Sequence, residues 1–431
     1  MRVDRIARKQ IFAWFIVFAM GVFCLLACAS DDPAAILPGS PPEIPAYNLM
    51  QGITAGDVKG AIPDDKFINA TADFSLNLFK KTFSKKNNCL ISPASVLLAL
   101  AMTANGANGN TLTQMTQVLG TGIPIAELNK YFYSFVKGLD SRDKSFLNIS
   151  NSIWFRENGF IPKREFLQTN ADYYNADAFA APFNEQTVLD INNWINQATN
   201  GLVKKMLDSI PPDAVMYLIN TVFFDAEWAS KYEERNIRNG QFTNINRQVQ
   251  TAQFMHSTEY KFIRGKGASG FIKPYFYDRY SFVAILPDAG IDIFDFAASL
   301  SGEEFLNLVK TAKTARVGAA MPKFDYDFEI TMNDALKSMG IQDAFDENNA
   351  DLLRLGSARG NLFISYVKHK AKITVDESGT KAGAGTVVEI MTRSAEPGAD
   401  YSVILDCPFI YAIIDNATNL PLFIGAFLSV K

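Results

Sequence analysis

The stretch from Glu377 to Ser394 reads Glu-Ser-Gly-Thr-Lys-Ala-Gly-Ala-Gly-Thr-Val-Val-Glu-Ile-Met-Thr-Arg-Ser, and it constrains the fold more than any other part of the chain. In a β-strand successive side chains point to opposite faces. Laid out that way, one face carries Thr380, Ala382, Ala384, Thr386, Val388 and Ile390, with no charge; the other carries Lys381, Gly383, Gly385, Val387 and Glu389. The uncharged face can be buried in a sheet, yet glycines and small side chains hold a strand poorly by themselves. A flexible linker has a similar composition, but a linker has no reason to confine its charges to one face. The pattern predicts a segment that is a loop in one state and a sheet strand in another. The rest of the chain must therefore supply a sheet able to receive it.

The chain is large enough to do so. Its 431 residues are 48% apolar and 12% aromatic, ordinary values for a folded protein with a sizeable core. Phe74, Leu78, Phe79 and Phe83 fall at helical spacing and predict a helix over 68–84. Ser92-Pro93 supplies a cap and a first-turn proline ahead of the apolar run Val96 to Met102. A third helix runs from Leu189 toward Asn200-Gly201, where the glycine suits a stop. Met216 to Phe224, Ser281 to Leu286, Val317 to Met321, Phe363 to Val367 and Phe409 to Ile414 read as core strands. Helices early and strands late predict an α+β fold rather than an alternating parallel one.

Several function classes are excluded. The net charge of −4 and the lack of a long basic run argue against a nucleic-acid partner. With only His256 and His369, a multi-histidine metal site cannot be built, and Cys24, Cys28, Cys89 and Cys407 have no CxxC spacing. No cofactor or metal is implied. No nucleophile elbow, phosphate-binding loop, zinc-protease motif or dinucleotide fingerprint is present. Cys89 and His369 could in principle pair as nucleophile and base. Cys89, however, lies in the apolar run Cys89-Leu90-Ile91, where a free cysteine behaves as a small hydrophobe. His256 sits in a polar, loop-like stretch and is expected to be solvated.

The first residues form an address. Arg2, Arg5, Arg8 and Lys9 precede seventeen uncharged residues, Ile11 to Ala27, as in a secretory signal. Leu25-Leu26-Ala27-Cys28 resembles the bacterial lipobox, which implies a signal peptide over 1–27 and lipidation of Cys28. An uncleaved membrane anchor is the alternative, the apolar stretch being at the lower limit for a span. Either puts the remainder outside the cytoplasm. Ser30-Asp31-Asp32 resembles the acidic signal of surface-exposed lipoproteins, so the expectation is an outer-membrane lipoprotein facing the surface or the periplasm. Residues 28–65 hold six of the 18 prolines and read as a semi-rigid tether; 66–431 reads as one domain.

Across that domain the motifs fall into one order. Glu377-x-Gly379-Thr380-x-Ala382-x-Ala384-x-Thr386 resembles the hinge of the serpins, the serine-protease-inhibitor family. Asn88 to Ser95, Asn151-Ser152-Ile153-Trp154, Thr199-Asn200-Gly201, Asn220 to Phe224 with Trp228, and Leu286-Pro287 agree with the family's order. So do Met321-Pro322-Lys323-Phe324, Met339-Gly340-Ile341, His369-Lys370-Ala371, Pro408-Phe409 and Leu422 to Gly425. The resemblance implies a serpin-like α+β fold: helices around large, mostly antiparallel sheets with an exposed reactive-centre loop. It also implies a suicide inhibitor, not an enzyme: the target protease acylates itself on the loop, and the cut loop inserts into the main sheet.

The family's spacing puts the reactive bond sixteen residues after the hinge glutamate, at Arg393–Ser394, with Met391 or Thr392 as alternative positions. Arg393 is also the only Lys or Arg between Ala382 and Asp406, so a protease with an acidic primary pocket could engage the loop only there. The expected partner is an Arg-specific serine or cysteine protease, held covalently by a monomeric inhibitor. Ser92, Asn220 and His369 resemble the family's polar cluster at the sheet opening, and Trp228 the aromatic residue at its top. Cys89 and Cys407 are expected to be free. Two other readings compete: a non-inhibitory serpin-fold binding or folding module, cleaved without trapping anything, and a hydrolase using Cys89 or His369.

Overall fold

The computed structural model describes residues 46–139, 144–201, 203–381 and 398–430. Among the described residues the first half holds the helices α1 (Asp65–Thr82), α2 (Pro93–Ala104), α3 (Gly109–Gly120), α4 (Ile125–Gly138), α5 (Arg164–Tyr174) and α6 (Glu185–Ala198). Three short ones follow, α7 (Ile293–Ser299), α8 (Gly302–Lys310) and α9 (Asn333–Met339). α1 starts where the Asp64 side chain accepts the Phe67 N–H and ends on Lys80 and Lys81, each charge placed to suit the helix dipole. α2 is buried along its whole length, as its apolar sequence requires, and Ser92 and Pro93 form its cap and first turn. α6 ends before Asn200 and Gly201, both at positive φ.

The first sheet contains β1 (Tyr47–Asn48), β3 (Ser145–Arg156), β5 (Asp177–Ala181), β6 (Met216–Glu227), β12 (Phe324–Thr331), β14 (Tyr366–Val375) and β15 (Gly379–Lys381), in the order β1-β5-β3-β6-β15-β14-β12. The second runs β16 (Tyr401–Ile404), β11 (Lys313–Pro322), β8 (Val249–Gly265), β9 (Ala268–Pro274), β10 (Tyr280–Pro287), β17 (Phe409–Asp415), β18 (Pro421–Phe427), β2 (Cys89–Ile91), with β7 (Ile237–Thr243) on β8. A minor pair joins β4 (Ile161–Pro162) to β13 (Gly356–Ser357). β17 and β18 are buried at every position, so they read as continuous apolar runs instead of alternating ones.

β6 and β14 pair with each other over only part of their length. Their lower halves pair directly and in parallel, from Tyr217↔Tyr366 to Thr221↔Lys370. Above that the two strands part. At the upper end β15 lies between them, antiparallel to both, with Gly379↔Glu227 and Thr380↔Ala226 on one side and Val375↔Thr380 and Thr374↔Lys381 on the other. The sheet thus has a seam that is closed below and opened above by the first residues of the switch segment.

Three expectations need correction. The strand expected at Phe363 to Val367 runs from Tyr366 to Val375; its alternating lysines, Lys368, Lys370 and Lys372, mask a strand in which every second residue is buried. His256 lies within β8, opposite Ala320, and is half-buried instead of solvated in a loop. Polar residues conceal that strand because the buried Glu259 is neutralised there by Lys273, 2.8 Å away. Finally, the packed part of the chain begins before the tether boundary expected at residue 65. β1 pairs with β5, Gly56 N–H donates to the Asp172 carboxylate and Ala61 N–H to the Lys130 carbonyl, so hydrogen bonds hold points between Tyr47 and Ala61 to the packed body where the sequence predicts a semi-rigid tether.

Candidate functional site

The lower end of the seam is held by a chain of polar groups in an otherwise apolar interior. Ser92, Asn220 and His369 are each fully buried, and Asn151 nearly so. The Ser92 backbone N–H donates to His369 Nε2 at 3.1 Å. Because Nε2 accepts, the ring proton sits on Nδ1, which donates to Asn220 Oδ1 at 2.9 Å. The Asn220 amide in turn donates to Asn151 Oδ1 at 2.6 Å. The chain runs from the start of α2 through β14 and β6 to β3, and it crosses the seam where Asn220 and His369 are direct neighbours. Parting the strands here costs hydrogen bonds between fully buried groups. The three residues singled out from sequence are thus brought together. Ser92 takes part through its main chain, while its hydroxyl caps α2 by accepting the Ser95 N–H.

The surroundings of His369 and Cys89 are poorly suited to a base and a nucleophile. Burial pushes the His369 pKa down to about 3, and both ring nitrogens already have partners. Burial pushes the Cys89 thiol up to about 12, against a smaller lowering by Thr82, so it stays protonated and poorly nucleophilic. Cys89 and Cys407 are both free. No group of His, Cys, Asp and Glu able to hold a metal occurs among the described residues.

The upper end grips the hinge. Trp228, fully buried at the end of β6, donates its indole N–H to the Asp376 carbonyl at 2.8 Å and its backbone N–H to the Ser378 carbonyl at 2.9 Å. Tyr232 N–H donates to the Glu377 carbonyl at 3.0 Å. The Asp376 carboxylate accepts from the N–H groups of Ser378 and Gly379, forming a turn that aims the chain into the sheet. Glu377 pairs with Lys323 at 2.6 Å. Burial acts to raise the Glu377 pKa, but the hydrogen bond and charge of Lys323 help bring it below its ordinary value. Gly379 has no room for a side chain: a Cβ there would lie 2.0 Å from the Ala226 carbonyl oxygen. Thr380 is buried at 2% exposure, its hydroxyl 2.6 Å from that of Tyr275.

Trp228 and the hinge residues Glu377, Gly379 and Thr380 therefore meet at one place. Ala382, Ala384, Thr386, Arg393, Ser394 and Cys28 lie outside the described residues. Sequence reasoning does not single out Tyr275, Asp376 or Asn151 as site residues. Asp376 and Tyr275 carry no local pattern, whereas Asn151 stands inside a motif quoted above and could have been found there.

Comparison with known proteins places the chain in a family. A family profile described as Serpin (serine protease inhibitor) matches residues 69–430. The leukocyte elastase inhibitor of Homo sapiens is 28% identical over 387 residues, covering 85% of this chain and all of the relative. A serpin-like protein of Thermococcus kodakarensis is 29% identical over 373 residues, covering 84% of this chain and 86% of its own length. Among solved structures, the thermophilic serpin tengpin in its native state is 50% identical, covers 89% of this chain and 100% of its own, and superimposes with a TM-score of 0.85; in its latent state the TM-score is 0.77. The chain belongs to the serpin family, and its fold is the serpin fold.

Proposed function

We propose that this serpin is a suicide inhibitor of Arg-directed endopeptidases, of the trypsin-like serine class or a cysteine protease with the same preference. The protease attacks the Arg393–Ser394 bond, becomes acylated by Arg393, and is trapped when the freed loop moves into the seam between β6 and β14. A lipid on Cys28 holds the inhibitor on the outer membrane, outside the cytoplasm. Loop insertion in serpins is a known instance of strand addition, and release of stored strain drives it.

The observation that carries this reading is the position of Gly379–Lys381, paired to both sides of an opening seam. Insertion has only to continue a ladder already begun. The residues that follow support it: from Thr380 the alternate face is uncharged, and no proline before Glu396 would forfeit a ladder hydrogen bond. Arg393 as the sole basic residue between Ala382 and Asp406 supports the protease preference.

The test mixes the protein lacking residues 1–28 with an equal molar amount of trypsin on a denaturing gel. A band at the summed mass that survives boiling, and that is absent from Arg393→Ala, is expected. Cleavage after Arg393 with trypsin still active would instead assign the chain to the non-inhibitory module, and an uncut Arg393 would refute the register. For the anchor, Cys28→Ala is expected to abolish incorporation of labelled fatty acid and membrane retention.

A further inference from the structure

We infer that Tyr275 is a positioning residue for loop insertion: its hydroxyl latches Thr380 and keeps the hinge inside the sheet before any protease arrives. Tyr275 belongs to the corner between β9 and β10, in the second sheet, while Thr380 belongs to β15 in the first. The 2.6 Å contact between Tyr275 Oη and Thr380 Oγ1 therefore ties the moving segment to a part of the molecule that does not travel with it.

The tyrosine is held firmly. It is fully buried, stacked on Trp228 with ring centroids 4.5 Å apart and an interplanar angle of 11°, and met edge-on by Phe224 at 5.1 Å. Its N–H donates to the Tyr280 carbonyl, and its carbonyl accepts the Asp278 N–H. Among the described residues each of the two hydroxyls has only the other as partner. Rotation of either would leave a buried hydroxyl unsatisfied, so the pair is on or off with little between.

This matters because insertion competes with deacylation. Once acylated, the protease is trapped if the loop enters the sheet first and escapes if water reaches the acyl bond first. A free hinge would have to order its first residues before any ladder could grow, an entropic cost that a latched hinge has already met. Loss of one buried hydrogen bond, with its partner left orphaned, corresponds to roughly a tenfold slower insertion. The consequence rests on the inhibitory reading; the latch itself does not.

Full-length protein in detergent micelles serves for the test, as wild type, Tyr275→Phe, Thr380→Val, the double variant and Thr380→Ser. Backbone hydrogen exchange at Gly379, Thr380 and Lys381 reads the latch without a protease. The number of inhibitor molecules consumed per trypsin inactivated reads the partition, with the initial rate of loop attack measured alongside. Both single variants are expected to exchange about tenfold faster at these amides and to consume several inhibitors per trypsin, with the rate of attack unchanged. Thr380→Ser should behave as wild type. The double variant should recover part of the loss, because two apolar groups leave nothing orphaned. Unchanged exchange in Tyr275→Phe and Thr380→Val would overturn the latch. Faster exchange with unchanged consumption would overturn its role in insertion. A wild type that trypsin merely cuts would refute the inhibitory reading, and the exchange comparison would still decide the latch.

Discussion

His369 and Asn220 face each other across the parallel part of the seam, ring Nδ1 to amide oxygen at 2.9 Å, and this bond joins β14 to β6 just below the point where the strands part. A neutral ring is required, since Nε2 must accept from Ser92 N–H. Protonation would turn that acceptor into a donor aimed at another donor. The seam is thereby sensitive to acid at one defined atom.

The pH dependence follows in sign. The folded-state pKa of His369 is depressed from about 6.5 to about 3 by burial. Below the unfolded value the denatured chain binds a proton that the folded chain does not, so stability is fully present above pH 6.5 and falls as the pH drops toward 3. The slope from this residue is about 1.4 kcal/mol per pH unit over that window. Urea midpoints at pH 7.5, 6.5 and 5.5 should fall more steeply for wild type than for His369→Gln. Equal slopes would refute the assignment.

Gly379→Ala tests the close approach. A Cβ 2.0 Å from the Ala226 carbonyl oxygen must displace the β15 backbone from β6. The remainder of the fold, which does not depend on that strand, should persist with a melting temperature within a few degrees of wild type, since a local loss near 1 kcal/mol moves a domain this large little. Trypsin trapping should give way to simple cleavage. Retained full trapping would show that insertion does not need β15 to pair closely with β6.

Much of the fold is legible in the residues, for identifiable reasons. Mostly apolar runs such as Met216 to Phe224 and Phe409 to Ile414 announce strands that are buried on both faces. Ser92-Pro93 announces a helix start because cap chemistry is local. β14 escapes such a reading because lysines occupy its half-exposed face, and β8 because a buried acid there depends on Lys273 of another strand. Tyr275 is invisible for the same reason: its partner Thr380 lies 105 residues away, and nothing in a tyrosine's neighbours says which hydroxyl it will meet.

Glu377→Lys should be mild in stability and strong in hinge control. The ion pair with Lys323 is partly solvated, with side-chain exposures of 35% and 17%, so its removal alone is worth about 1 kcal/mol or less. Two like charges at that spot would instead push the turn at Asp376 away from the sheet. Backbone hydrogen exchange at Ser378 and Gly379, whose N–H groups the Asp376 carboxylate accepts, should speed up, and the swapped pair, Lys323→Glu with Glu377→Lys, should slow it again. Timed exchange followed by mass spectrometry reads both, and a swap that fails to rescue would remove the ion pair from the account.

Heat resistance after cleavage tests the seam itself. Among the described residues β6 and β14 are joined directly from Tyr217 to Thr221, and Gly379–Lys381 lies at the top of the opening. If the loop enters once cut at Arg393, the upper halves of both strands gain a full ladder partner, and backbone groups left to other arrangements become paired. The cut protein should then melt well above the intact one: each additional kcal/mol raises the midpoint of a domain this long by about 1–2 °C, and a new central strand supplies many. Limited trypsin treatment followed by calorimetry makes the measurement. Arg393→Ala, uncut at this position, should show no such rise, and a cut wild type that melts like the intact protein would mean that the seam does not accept the loop.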